Sequence, residues 1–158
     1  MGSSEIIFRK MNFDDIKSVA EIEFKTFSLP WRLEDFWHEV INQDSESIVG
    51  ELDGKVIAYA CAWLSFNEAD VANIAVEENF RGCGIGKKLF AELLNRVKLR
   101  GVKAVTLEVR VSNIAAIKLY ESFGMRGVGV RKNYYCNPEE DALIMWNFEL
   151  GERYSEQN

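Results

Sequence analysis

The feature of this sequence that most constrains the fold is a glycine cluster between a predicted strand and a predicted amphipathic helix. The strand pattern covers residues 69–76, and the cluster RGCGIGK follows at residues 81–87. Apolar residues then recur at helical spacing over residues 87–100, and Gly101 is typical of the position just past a helix end. Another strand pattern covers residues 103–111. The unit predicts two parallel strands joined by a right-handed crossover.

The segments on either side of this unit predict further strands and helices. We expect strands at residues 6–11, 47–52, 55–65, 125–135 and 142–150, and helices at residues 14–27, 33–41 and 113–123. Asp53-Gly54 is typical of a type I′ hairpin turn. The pattern predicts an α/β (mixed α+β) fold, with a twisted mixed sheet of about seven strands and helices on both faces. Residues 1–150 are expected to form one domain, followed by a fraying polar tail at residues 151–158.

Composition excludes several classes of protein. The chain has 158 residues, 47% of them hydrophobic, so it can bury a core. Its formal charge of −6 disfavours a general nucleic-acid binder. The longest strongly apolar run, residues 56–64, is too short to cross a bilayer, and the first residues lack a signal-peptide pattern. Three scattered cysteines and one histidine disfavour disulfides and a zinc site. We therefore expect a cytoplasmic protein with no metal, membrane or nucleic-acid partner.

The glycine cluster is suited to binding a phosphate-bearing ligand. Glycines let backbone N–H groups approach an anion, and the following helix adds the positive end of its dipole. A P-loop is disfavoured because Gly82–Gly86 is one residue too short and Lys88 replaces the Mg²⁺-binding Ser or Thr. A dinucleotide loop is disfavoured because Lys87 takes the place of its third glycine. The pattern Arg/Gln-x-x-Gly-x-Gly/Ala fits residues 81–86, although a plain glycine-rich turn with a helix cap stays open.

That pattern is the coenzyme A pyrophosphate loop of the GNAT superfamily of acetyltransferases, and the rest of the chain resembles the same superfamily. The resemblance spans residues 6–146 and is carried by LPW, NIAV, LEVRVSNIAAIKLYESFGM, NYY and EDALIM. It is strongest to the branch of RimI-type ribosomal-protein alanine N-acetyltransferases and archaeal N-terminal acetyltransferase catalytic subunits. It implies the GNAT fold, acetyl-CoA as donor, and the α-amino group of a protein or peptide N-terminus, such as a ribosomal protein, as acceptor. Gly82 departs from the arginine common in RimI-type loops.

Acetyl transfer needs a base for the ammonium proton and an acid for the departing thiolate. Strand alternation places Glu108 on the more polar face of its strand, where a carboxylate needs a partner or a function. The resemblance implies that Glu108 is the general base, acting through water, while a salt bridge stays open as the alternative. It also implies that Tyr120 is the general acid and that Asn113 contacts coenzyme A. From the residues alone, Tyr120 also fits a core aromatic and Asn113 a helix N-cap.

Two sets of binding residues are predicted, the first from the resemblance and the second from aromatic side chains expected to be exposed at loop ends. The coenzyme A contacts are the backbone of Ile74, Ala75 and Val76, the loop residues Arg81, Gly82, Cys83, Gly84, Ile85, Gly86 and Lys87, and Asn113. The acceptor contacts are Leu29, Pro30, Trp31, Tyr134 and Tyr135, for which packing of the loops against the core stays open. The family transfers acetyl directly, so an acyl-cysteine at Cys83 is not expected.

Two other functions remain open from the sequence. One is a GNAT enzyme that acetylates lysine or a small-molecule amine, and the other is a non-catalytic module that binds coenzyme A. An α-amino group, with a pKa of ~7.8, is neutral far more often at pH 7 than a lysine with a pKa of ~10.4. A modest base is therefore sufficient for the α-amine, which favours the N-terminal acceptor.

Overall fold

A computed structural model describes residues 4–150 and contains one mixed sheet with helices on both faces. The strands are β1 (Ile7–Lys10), β2 (Ser45–Leu52), β3 (Lys55–Ser65), β4 (Glu68–Val76), β5 (Ala104–Arg110), β6 (Arg126–Tyr135) and β7 (Glu140–Asn147). The helices are α1 (Ile16–Thr26), α2 (Leu33–Ile41), α3 (Ile85–Leu99) and α4 (Ile114–Glu121), with short 3-10 turns at Phe13–Asp15 and Glu78–Phe80. The seven strands lie in the order β1-β2-β3-β4-β5-β7-β6. The predicted fold class is confirmed.

Two apolar layers hold the helices against the sheet. One contains Leu89, Phe90 and Leu93 of α3 packed with Leu107 of β5, and the other contains Val19, Phe36 and Tyr59 under α1 and α2. Each layer buries the apolar stripe of amphipathic helices against one sheet face, which is the main stabilising contribution in such a fold.

Several element boundaries differ from the sequence prediction, and two of the differences have clear local reasons. Helix α3 begins at Ile85, two residues earlier than expected, because Gly84 is its N-cap with a left-handed backbone. Strand β7 ends at Asn147 rather than at residue 150. The Asn147 side chain donates to the Phe123 carbonyl at 3.0 Å and accepts from the Glu149 amide at 2.9 Å, which turns the chain. The assignment of residues 1–150 to one domain stays a prediction, and the predicted tail lies outside the described residues.

The middle of the sheet opens between β4 and β5. These strands are parallel, as predicted, but they pair only over Glu68–Asp70 and Ala104–Thr106. An irregularity in the β3–β4 register next to Ala72 marks the point beyond which β4 pairs with β3 alone. Strand β5 continues to pair with β7 as far as Arg110. A gap therefore forms between the carboxyl ends of β4 and β5, beside the glycine loop.

Within the described part of the chain, no helix combines the length and the apolar character that crossing a bilayer demands.

Candidate active site

The glycine loop leads from β4 into the N-terminus of α3. Gly82 and Gly84 have φ angles of 78° and 81°, a left-handed backbone in which other residues are strained. Gly84 is the N-cap of α3, and without a side chain it cannot accept hydrogen bonds from the first-turn N–H groups. A Cβ atom at either glycine would meet no described atom within 4 Å. The loop is therefore an open cradle of N–H donors at the positive end of a helix, which fits a diphosphate.

The remaining residues of the loop tie it to its surroundings. Arg81 donates from Nε to the Val76 carbonyl at 2.9 Å and from Nη2 to Thr26 Oγ1 at 3.1 Å, which joins the loop to β4 and α1. Cys83 is exposed and contacts only its own loop, through the Arg81 carbonyl at 3.8 Å, among the described residues. Lys87 is exposed in the first turn of α3, which Ile85 and Gly86 begin.

The edge of β4 beside the gap carries backbone groups that β5 does not pair. The Ile74 amide donates to the Asn73 side chain at 3.1 Å, and the Val76 carbonyl accepts from Arg81. Ala75, between them, is buried against the layer under α1. An extended amide-bearing ligand placed in the gap can take over these backbone groups as a further strand would.

Glu108 lies on β5, on the face opposite the buried side chains of Val105, Leu107 and Val109. Its side chain is 18% exposed, and Arg131 Nε lies 3.3 Å from Glu108 Oε1. The salt bridge left open by the sequence is therefore present. Within residues 4–150, Oε2 accepts no hydrogen bond, so that oxygen is available to a water molecule or an amine.

Tyr120 lies near the end of α4, which Asn113 begins as an N-cap by accepting from the Ala116 amide at 3.2 Å. The Tyr120 ring packs on Phe90 at 4.9 Å, and its hydroxyl has no hydrogen-bond partner among residues 4–150. Burial raises the pKa of Tyr120 to about 12. Because a buried hydroxyl is usually paired, this one is suited to donate to a ligand atom.

The two tyrosines at the end of β6 converge on the same region. Tyr134 is half exposed, and its ring meets the Tyr135 ring edge-on at 5.0 Å. Arg110 covers Tyr135, with its guanidinium carbon 4.4 Å from the ring centroid. Burial raises the pKa of Tyr135, and the nearby groups of Tyr134, Glu108 and Tyr120 act in the same direction. The structure thus brings the predicted base, the predicted acid and both tyrosines together.

The loop between α1 and α2 forms the facing wall of the site. Trp31 stacks on Trp63 with ring centroids 6.0 Å apart and an interplanar angle of 7°. Leu29 is 65% exposed, and Pro30 is partly buried beside it. Ser28 Oγ donates to the Cys136 carbonyl at 3.1 Å, which joins this loop to the turn after Tyr135. The predicted acceptor segments therefore lie next to each other.

The sequence analysis missed the carboxylate that holds this wall in place. Glu23 is 2% exposed and accepts from Tyr59 Oη, from Asn73 Nδ2 at 2.7 Å and from the Trp31 amide at 3.1 Å. Burial raises the pKa of Glu23 despite these three donors. The sequence spacing could have indicated that Glu23 is buried. Glu23 follows Val19 by four residues and therefore falls on the apolar face of α1.

Two further charged residues near Glu108 were also missed. One is Arg131 of β6, the partner of Glu108 described above, and the other is Asp70 of β4. Burial raises the pKa of Asp70, the charge of Glu108 raises it further, and Arg131 lowers it. The signal was an aspartate within a predicted strand, since aspartate is depleted in strands.

A mixed sheet that opens between two parallel strands, above a glycine cradle at a helix N-terminus, defines a class of α/β acetyltransferases. The model of the acetyltransferase (GNAT) family matches residues 16–125, and the chain belongs to this family. The resemblance to this superfamily is thereby confirmed.

Comparison with individual proteins shows which members of the family this chain resembles. A Bacillus subtilis (strain 168) protein, provisionally named a ribosomal protein bS18-alanine N-acetyltransferase, is 41% identical over 139 residues, which is 87% of this chain and 92% of the relative. The ribosomal protein bS18-alanine N-acetyltransferase of Escherichia coli (strain K12) is 36% identical over 135 residues, 83% of this chain and 89% of the relative. The crystal structure of the ribosomal-protein-S18-alanine N-acetyltransferase from Escherichia coli matches with a TM-score of 0.83 at 32% identity, covering 90% of this chain and 92% of that one.

Proposed function

We propose that this protein is a cytoplasmic N-terminal acetyltransferase of the ribosomal-protein-alanine type. It moves an acetyl group from acetyl-CoA to the α-amino group of a protein or peptide N-terminus. The observation that carries the proposal is that Glu108, with one unpaired oxygen, and Tyr120, with a buried hydroxyl that has no partner within residues 4–150, both lie close enough to Tyr135 to raise its pKa. The names of the relatives at 41% and 36% identity support the acceptor class.

The residues of the gap fit acetyl-CoA. Its diphosphate would bind the N–H groups of the glycine loop, with Arg81, Lys87 and Asn113 at the rim, and its amide-bearing arm would follow Ile74–Val76. Acetyl-CoA supplies a thioester carbonyl that an amine can attack. Tyr120, near the end of α4, would serve the thioester sulfur as a proton donor.

Glu108 and Tyr120 then carry out the proton transfers of the reaction. The α-ammonium group loses one proton to Glu108, through water, and the neutral amine forms the C–N bond. The C–S bond breaks, and Tyr120 gives its proton to the thiolate and regains one from the new amide nitrogen. The products are an N-acetyl amide, a free thiol and one proton released to water. The raised pKa of Tyr120, about 12, keeps this residue protonated at neutral pH.

The shape of the acceptor side favours a chain terminus over a small enclosed amine. Exposed Leu29 and half-exposed Tyr134 lie on segments joined by the Ser28–Cys136 hydrogen bond and would form the two walls of an open acceptor site. Aromatic and apolar walls of this kind contact a peptide backbone while leaving its other end in solvent. A lysine or small-molecule acceptor remains the second candidate.

The test is acetylation of defined peptides by the purified protein with acetyl-CoA. A peptide that begins with alanine or serine is compared with the same peptide carrying a blocked N-terminus and an internal lysine. We expect addition of one acetyl group, detected by mass spectrometry, to the free N-terminus alone. Modification of the lysine alone would contradict the acceptor class, and coenzyme A binding without transfer to any peptide would contradict catalysis.

A further inference from the structure

Asp70 lies on the same face of the sheet as Glu108. It is paired with Thr106 on β5 and with Trp63 on β3. Because side chains two residues apart on a strand share a face, Glu108 is the next residue of β5 on the side of Asp70. Strand geometry places the two Cα atoms roughly 8 Å apart at the start of the gap. The two carboxylates therefore border the same space.

The charges around this space do not balance. Glu108 is bound by Arg131 at 3.3 Å, whereas the Asp70 carboxylate makes no hydrogen bond or ion pair with any of residues 4–150. Asp70, Glu108 and Arg131 together carry a charge of −1 when both carboxylates are ionised. Burial and the charge of Glu108 raise the pKa of Asp70 more than Arg131 lowers it, so the negative charge of Asp70 is not balanced by Arg131 alone.

Asp70 also lies between the two walls of the acceptor groove. Trp63, its cross-strand neighbour on β3, stacks on Trp31 of the α1–α2 loop. On the other side, Tyr134 is close enough for the charges of Glu108, Arg131 and Asp70 to act on its hydroxyl. Asp70 is therefore close to both Trp63 and Tyr134.

We propose that Asp70 is a specificity-determining residue that binds the acceptor's α-ammonium group and holds it beside Glu108. The inference rests on the proposed function, since an N-terminal acceptor arrives mostly protonated at neutral pH. Binding the ammonium group brings the charge of the cluster from −1 to zero. A carboxylate that Arg131 does not neutralise thus selects a cationic terminus, while Glu108 keeps an oxygen for proton removal.

Steady-state kinetics with an alanine-starting peptide test this role. In D70N we expect the KM for the peptide to rise about tenfold, because a charged hydrogen bond is lost. The KM for acetyl-CoA is expected to stay unchanged and kcat to fall far less than KM rises. D70E keeps the charge and is expected to restore part of the affinity. E68Q is the matched control, because Glu68 is an exposed carboxylate on the same face of β4, two residues earlier.

Calorimetry with the coenzyme A-loaded enzyme provides a readout independent of transfer. The wild type is expected to bind the alanine-starting peptide about tenfold more tightly than the same peptide lacking its α-amino group. D70N is expected to bind the two peptides equally. The role of Asp70 would be overturned if the wild type bound the two peptides equally, or if D70N still bound the peptide with the α-amino group more tightly. If the wild type acetylates no α-amine, the proposed function is wrong. If D70N transfers acetyl normally with an unchanged KM for the peptide, the proposed function stands and only the role of Asp70 is wrong.

Discussion

At the scale of single residues, Glu108 combines a structural and a chemical position. Arg131 holds one carboxylate oxygen, while the other accepts no hydrogen bond from residues 4–150. Because the ion pair restricts the rotamers of Glu108, it orients the carboxylate while leaving the second oxygen available to accept a proton. A salt bridge and a catalytic role are compatible here, although the sequence presents them as alternatives.

Replacement of Glu108 tests the base directly. In E108Q we expect kcat to fall by roughly 10²–10⁴-fold, the usual contribution of a general base. Coenzyme A affinity is expected to stay unchanged, because Glu108 lies on the acceptor face. E92Q is the control, since Glu92 pairs with Arg96 on α3, away from the gap. Unchanged turnover in E108Q would remove this residue from the mechanism.

Tyr120 and Tyr59 form a matched pair of buried tyrosines. The Tyr120 hydroxyl has no partner within residues 4–150, whereas the Tyr59 hydroxyl donates to Glu23. We expect Y120F to lose about 100-fold in kcat and no stability, because no hydrogen bond is broken. Y59F is expected to lose about 1–3 kcal/mol of unfolding free energy, because it removes a donor from a buried carboxylate. Urea unfolding and initial rates measure both, and a destabilised Y120F would show that its hydroxyl is structural.

At the scale of elements, helix α3 has a left-handed glycine at each end. Gly84 is the N-cap and Gly101 follows the C-cap, with φ angles of 81° and 90°, and a Cβ at either position would meet no described atom within 4 Å. The backbone strain of an alanine is therefore similar at both ends. Only the N-terminal glycine borders the proposed diphosphate site.

This symmetry provides a controlled test of the cradle. We expect G84A and G101A each to lose about 1–2 kcal/mol of stability through the left-handed backbone. Only G84A is expected to weaken coenzyme A binding, by tenfold or more, because its methyl group occupies the cradle. Thermal melting and calorimetry with coenzyme A separate the two effects. Equal coenzyme A affinity in both variants would place the diphosphate elsewhere.

At the scale of the whole molecule, a partly buried ion pair fastens the edge strand to the start of the first helix. Arg9 of β1 binds Asp15 through two hydrogen bonds, at 2.7 and 2.8 Å, and also binds Glu51 of β2 at 2.8 Å. The Asn12 amide donates to Asp15 at 2.8 Å. Burial raises the pKa of Asp15, but the hydrogen bonds and the charge of Arg9 outweigh it and leave a net lowered pKa.

Stability should depend on pH through Asp15. Because its pKa is lower in the folded state than the unfolded value of ~3.9, its contribution is complete above about pH 4 and is lost as the pH falls through the folded pKa. We expect D15N to be less stable than the wild type at pH 7, and the difference to shrink at pH 3. Urea unfolding at both pH values measures this, with D14N, at the exposed neighbour, as control. A difference that grows on acidification would contradict the assignment.

The sequence by itself determined the kinds of elements and the nature of the loop between them. Periodicity placed the strands and helices, and the glycines before a helix N-terminus indicated an anion site before α3. These are local properties, since a helical stripe or a left-handed turn depends on residues a few positions apart.

Only the tertiary structure decided how distant residues meet. The opening between β4 and β5 depends on where their pairing stops, at Asp70 and Thr106. The contacts of Glu23 span 8 to 50 residues of sequence, and Arg131 reaches Glu108 from across β7. Register between strands brings these charges together, and β5 is joined to neither of its neighbours β4 and β7 by a tight turn that could fix the register locally.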